Sequence, residues 1–136
     1  MIIIKKIKRG EIRICNLGNC IDGSVQSGIR PALVISNNAA NKHGPVAIVA
    51  PITSKTTTKK CLPTHIVLTT NMGLKYESLI LLEQIMTIDK KCIGRRITKL
   101  TPRLMSVVDK KINVSLGVKK ANKAKKEVNH EICTFD

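Results

Sequence analysis

Hydrophobic and polar residues alternate along this chain with two different periods, and the change of period divides it. Residues 11–17, EIRICNL, alternate two by two: Ile12 and Ile14 fall on one face of an extended segment, Arg13 and Cys15 on the other. Residues 18–29 are rich in Gly, Asn, Asp and Ser and read as a loop. An apolar run from Pro31 to Ser36 predicts a buried strand, and 37–45, containing Asn-Lys-His-Gly-Pro, a turn. VAIVAPI (46–52) is a further apolar strand and SKTTTKK (54–60) an exposed polar loop. HIVLTT (65–70), SLILL (78–82) and QIMTI (84–88) are three more strand-like runs.

From Thr101 the period lengthens. Thr101 is placed to cap a helix that Pro102 opens, because a proline at the first helical position loses no hydrogen bond. Leu104, Val108 and Ile112, with Met105 and Leu116 beside them, form a stripe at helical spacing, while Arg103, Lys110 and Lys111 fall largely off it. Gly117 stops the helix. Six or so short strands and one closing helix describe a mainly β protein, a small curled β-barrel with a helix packed on it. The 136 residues suit one domain, residues 1–117. Residues 118–136 lack apolar periodicity and read as a loose basic tail.

Charge changes this picture more than overall composition does. There are 24 Lys and Arg against 9 Asp and Glu, a net +15. The last twenty residues hold five lysines and three acids, so +13 belongs to residues 1–116. A folded body needs only about 2 to 8 units of net charge for solubility, and this excess points to a polyanion, with nucleic acid the default partner. Tyr76 and Phe135 are the only aromatic residues, which excludes a platform that stacks several bases. Recognition then falls to charge, loop amides, small polar side chains and arginine stacking. Five cysteines, with no C-x-x-C pair, predict reduced thiols rather than disulfides or a metal site. No apolar run approaches the ~20 residues of a membrane span, and MIIIKKIKRG does not read as a signal peptide, so a cytoplasmic location with no membrane partner is expected.

One stretch asks for a chemical explanation. In GSVQSGIRPALVIS (23–36) a loop with little side-chain bulk delivers Arg30 to the mouth of a buried strand. Arg9-Gly10-Glu11-Ile12, the pattern G-S-x-Q-x-G-I-R-P from Gly23 to Pro31 and the strand LVIS resemble the opening of the MazF/PemK-type toxins. The resemblance continues through AIVAPIT (47–53), LPTHI (62–66) and SLILLEQIMTIDKKCI (78–93) into the helix ending at Leu116, about 110 residues in all. It implies an SH3-like barrel of the MazF/PemK/CcdB type that forms homodimers, cleaves single-stranded mRNA at short sequences, and is blocked by a cognate antitoxin. Operator DNA bound jointly with that antitoxin is a further implied partner. The resemblance maps a catalytic Arg and Thr onto Arg30 and Thr53, and it places Ser24, Gln26, Leu62 and Gln84 on the RNA. Many relatives carry Glu where this chain has Val25.

The chemistry of these residues agrees with that implication. Metal-independent RNA cleavage needs the ribose 2′-OH as nucleophile, a route for protons, and donors for the charge that builds on phosphorus. Arg30 offers a fork of N–H donors, and Thr53 a neutral hydroxyl at the end of an apolar strand. His43, His65 and His130 show no recognisable pairing and read as structural or solvated. Proton transfer is left to Arg30, to water or to the substrate, and an arginine is a poor general base. No cofactor is implied. Arg95, Arg96, Lys99 and Arg103 are read together as a basic helix that extends the RNA track, forms a solvated face, or binds an acidic antitoxin segment. A second reading from another class is a non-catalytic toxin on the same barrel, binding nucleic acid or poisoning a topoisomerase.

Overall fold

A computed structural model describes residues 6–20, 23–54 and 62–119. Seven strands and two α-helices follow in the order β1 (Glu11–Asn16), β2 (Ile29–Val34), α1 (Asn38–His43), β3 (Val46–Thr53), β4 (His65–Leu68), β5 (Ser78–Leu81), β6 (Met86–Asp89), β7 (Ile93–Lys99) and α2 (Pro102–Leu116). All pairings are antiparallel, in the order β4-β5-β3-β2-β1-β7, with β6 branching from β3. The sheet curls without closing its hydrogen-bonded ladder among the described residues, a mainly β fold with a C-terminal helix as the sequence predicts.

Both faces of the central strands are covered, which is why they read as continuous apolar runs. Leu33, Ala50, Ile52 and Ile80 join Ile12, Leu100 and Val108 in one core, against which Leu104, Met105 and Ile112 of α2 pack. Ala32, Val34, Ala47 and Val49 face the other way, into a second core with Ile7, Cys15, Ile88 and Ile93. Helix α2 starts and stops where expected: the Thr101 hydroxyl accepts the Leu104 N–H at 3.2 Å, and Gly117 takes the left-handed conformation.

Ile12 and Cys15 sit on opposite faces of β1, as the alternation predicts, Ile12 in the first core and Cys15 in the second, and the β1–β7 register shifts on either side of Arg13. That irregularity sits against Gly94, where a Cβ would lie 2.9 Å from the Ile14 carbonyl oxygen. Three local expectations need correction. The turn at 37–45 contains α1, capped by Asn37, whose side chain accepts the Ala40 N–H at 2.8 Å. Thr69, Thr70 and Gln84 lie outside the strands, Thr70 and Gln84 in short 3₁₀ turns. Arg95, Arg96 and Lys99 lie on β7, a strand in its own right, and only Arg103 is helical. Most of the 54–60 loop, and the tail from residue 120, fall outside the described residues.

The Arg9-Gly10-Glu11 turn ties these parts together. Glu11, 4% exposed, accepts from the Lys8 amide at 2.8 Å and from Arg13 at 3.0 Å, with Arg96 at 3.5 Å. Arg9 donates to the Ile35 carbonyl at 2.8 Å and to Asp109 of α2 at 2.7 Å. Removing one partner of a buried ion pair strands the other, at a cost of about 3 kcal/mol. Glu11→Ala should therefore lower the unfolding free energy from urea titration by that amount, whereas Asp109→Ala at the more exposed Arg9 pair should cost under about 1 kcal/mol.

Candidate functional site

Strand register explains how Arg30 and Thr53 meet. In the β2–β3 ladder Ala32 pairs with Pro51 and Leu33 with Ala50. Continuing the same antiparallel register by two residues sets Arg30 opposite Thr53, on one face of the sheet. Both side chains line an open cleft of ≈ 340 Å³ with Pro31, Ile52, Ser54, Leu74, Lys75, Tyr76 and Ser78. Thr53 is 3% exposed and Arg30 half-buried, so hydroxyl and guanidinium are presented from a rigid ladder.

The preceding loop orients the guanidinium through neutral groups. Arg30 Nε donates to the Ser27 carbonyl at 2.8 Å, and Nη1 donates to the Gln26 side-chain oxygen. Gln26 is held in turn by its amide, which donates to Gln84 Oε1 at 2.8 Å; Gln84 Nε2 reaches the Ser24 carbonyl at 3.2 Å. Two of the five N–H donors of Arg30 are thus engaged among the described residues, which leave three without a partner. No carboxylate among the described residues pairs with Arg30.

Of the residues expected on the RNA, Ser24, Gln26 and Gln84 form this latch beside Arg30 and do not line the cleft. Leu62 is exposed at the start of the next segment, away from the cleft lining, where its amide donates to His65 Nδ1 at 3.2 Å. Lys75 and Tyr76 are cleft residues that the motifs did not single out; the only signal was that Tyr76 is the one aromatic residue before the tail. A second cleft, of ≈ 490 Å³, gathers Lys6, Lys8, Lys42 and Lys99, so part of the basic charge lies apart from Arg30.

His65 is buried and structural, as the sequence reading held. Its Nδ1 accepts the Leu62 amide, which fixes the proton on Nε2, and Nε2 donates to Glu83 at 2.8 Å. Neither His65 nor His43 lines the cleft.

Comparison with known proteins places this arrangement. The fold matches that of MazF from Deinococcus radiodurans, with a TM-score of 0.72 at 22% identity over 85% of this chain and 100% of that one. A mycobacterial endoribonuclease solved in complex with its cognate antitoxin has a TM-score of 0.69 at 24% identity, over 85% and 99% of the two chains. The curled sheet with its C-terminal helix is thus that of the MazF toxins. Sequence carries the likeness further: the endoribonuclease EndoA of Bacillus subtilis is 42% identical over 113 residues, 82% of this chain and 96% of that one. Residues 8–116 match the family described as PemK-like, MazF-like toxins of type II toxin–antitoxin systems, and the chain belongs to that family. Nothing in these comparisons favours a topoisomerase poison. No helix among the described residues is long and apolar enough to cross a membrane.

The His65–Glu83 pair has a predictable pH dependence. Burial raises the pKa of Glu83, but hydrogen bonds from His65, from its own amide and from Thr64 outweigh this and hold it below its ordinary value of 4.5. A depressed carboxylate stabilises the fold above its unfolded value, and that stabilisation is lost as pH falls through the folded one. Thermal unfolding should therefore show stability declining below pH 4.5, and Glu83→Gln should flatten that decline while lowering stability at neutral pH.

Proposed function

We propose that this chain is the toxin of a type II toxin–antitoxin pair, acting in the cytoplasm as a sequence-selective, metal-independent endoribonuclease on single-stranded mRNA. The observation that carries the reading is Arg30, set across from Thr53 in one cleft with three N–H donors unspent and no carboxylate partner among the described residues. Family membership and the 42% identity to EndoA support it independently.

The ribose 2′-OH attacks the adjacent phosphorus, the P–O5′ bond breaks, and the products carry a 2′,3′-cyclic phosphate and a 5′-OH. Charge accumulates on the non-bridging oxygens as phosphorus becomes five-coordinate. Arg30 meets that charge with a planar fork of donors, pre-aimed by Ser27 and Gln26 so that little reorganisation accompanies the reaction. Thr53 adds a hydroxyl fixed at the end of β3. With no histidine or carboxylate among the described lining residues, the 2′-OH proton passes to water or to the phosphate itself, O5′ takes a proton back from the same source as it leaves, and the role of Arg30 is electrostatic.

A homodimer follows from the surface beside the site. Ile29, next to Arg30, is 75% exposed, and Val25 in the same loop is also exposed. Covering these positions with a second copy removes apolar area from water and sets two clefts near one interface. The cognate antitoxin, the second partner, would inhibit by covering the cleft that holds Arg30.

Incubation of the purified protein with a long mixed RNA in EDTA, followed by mapping of the ends, should give discrete cuts with cyclic phosphate termini. Strict dependence on magnesium would refute the reading. Arg30→Ala and Thr53→Ala should each lower the cleavage rate by about 10²–10³ with an unchanged circular dichroism spectrum, since each removes one oxyanion-type donor. Light scattering at micromolar concentration should give about twice the 15.0 kDa of one chain.

A further inference from the structure

Tyr76 is the one tyrosine in a chain without tryptophan, and it lines the cleft that holds Arg30 and Thr53. An aromatic ring left 58% exposed has no part in the core. Its backbone, however, is pinned. Leu74, two residues before it, is buried in the core under α2, and the Ser78 hydroxyl, two residues after it, donates to the Tyr76 carbonyl at 2.8 Å. The Lys75 ammonium stands 5.5 Å from the ring centroid, so a cation already engages the π-system.

We infer that Tyr76 and Lys75 form a nucleobase subsite beside the scissile phosphate, in which one base of a single-stranded RNA stacks on the Tyr76 ring while Lys75 neutralises a neighbouring phosphate. The inference rests on the endoribonuclease reading and deepens it. A ring held at both sides of its backbone stacks a base without ordering a loop first, which retains more of the stacking energy. One aromatic accommodates one base, in keeping with the absence of a multi-base platform. Because every base has a π-face, the subsite fixes the position of a nucleotide in the cleft more than its identity, and sequence selection is left to the polar loop around Gln26. Tyr76 is thus a positioning residue.

The composition of the chain supplies its own probe: intrinsic emission reports on Tyr76 alone. The test uses a short RNA containing one mapped cut site, 2′-O-methylated at the scissile ribose so that it binds uncut. Titration into the full chain should quench tyrosine emission in step with the anisotropy of a labelled copy, after correction against a free tyrosine derivative. With the unmodified RNA, Tyr76→Ala should raise KM roughly ten-fold with a smaller change in kcat, and Tyr76→Phe should restore it to within about two-fold. An abasic nucleotide moved along the RNA should penalise the wild-type protein at one position and leave Tyr76→Ala indifferent there. Emission unmoved at saturating RNA, or a Tyr76→Phe defect as large as that of Tyr76→Ala, overturns the subsite while leaving the nuclease reading intact. A chain that cuts no RNA overturns the reading on which the subsite rests.

Discussion

Strand β3 is obliged to serve two partners on one of its sides, and the geometry of the site follows from that. Its first half pairs with β6 as far as Val49, and its second half pairs with β5 from Ile52, while β2 runs along the opposite side. Pro51 lies in the gap between the β6 and β5 ladders. A proline inside a central strand ordinarily forfeits a ladder hydrogen bond, which is why it argues against such a strand. Here it sits where the strand changes partner and no neighbour on that side asks for its N–H. The change of partner bends the sheet into its curl. It also carries the last residue, Thr53, beyond the β2 ladder to the rim, opposite Arg30.

The electrostatics around Arg30 complete what the strand positions begin. An arginine oriented by a carboxylate is held firmly, but its charge is then largely cancelled. Here orientation comes from a backbone carbonyl and an amide side chain, which accept hydrogen bonds and leave the net charge in place. The fold does use acid–arginine pairing, though elsewhere: Glu11 gathers Arg13 and Arg96 at the β1–β7 seam, and Asp109 takes Arg9. Arginines that hold the structure are neutralised, whereas the arginine in the cleft has no carboxylate partner among the described residues.

The sequence showed much of this and hid the rest for identifiable reasons. The apolar runs of β2 and β3 and the capped stripe of α2 were plain because burial on both faces, or on one helical stripe, leaves a strong period. Strand β7 was hidden because IGRRITK carries two adjacent arginines and few apolar residues; its outer face is solvated and one arginine is spent on Glu11. Helix α1 was hidden because six residues with two asparagines, preceded by a third, look like a turn until Asn37 and Asn41 find their partners. Arg30 and Thr53 were legible through their motifs. The Gln84 latch joins residues 58 positions apart, and no local pattern encodes such a contact.

The cleft distributes its tasks between rigid and adaptable backbone. Arg30 lies in the β1–β2 ladder and Thr53 in the β3–β5 ladder, where a displacement means moving a sheet with cores on both faces. The groups around that pair lie on connections: Ser24 and Gln26 in the loop before β2, Lys75 and Tyr76 in the segment before β5. Phosphoryl chemistry is the same for every nucleotide and tolerates little error in donor placement, so it belongs on the sheet. Substitution in a loop, by contrast, disturbs no core. Each loop is nevertheless tied down by one or two polar contacts, Gln84 for the first and Ser78 for the second. The substitutions that retune such a protein should therefore fall between those ties, at exposed positions such as Val25, while the ties themselves stay fixed.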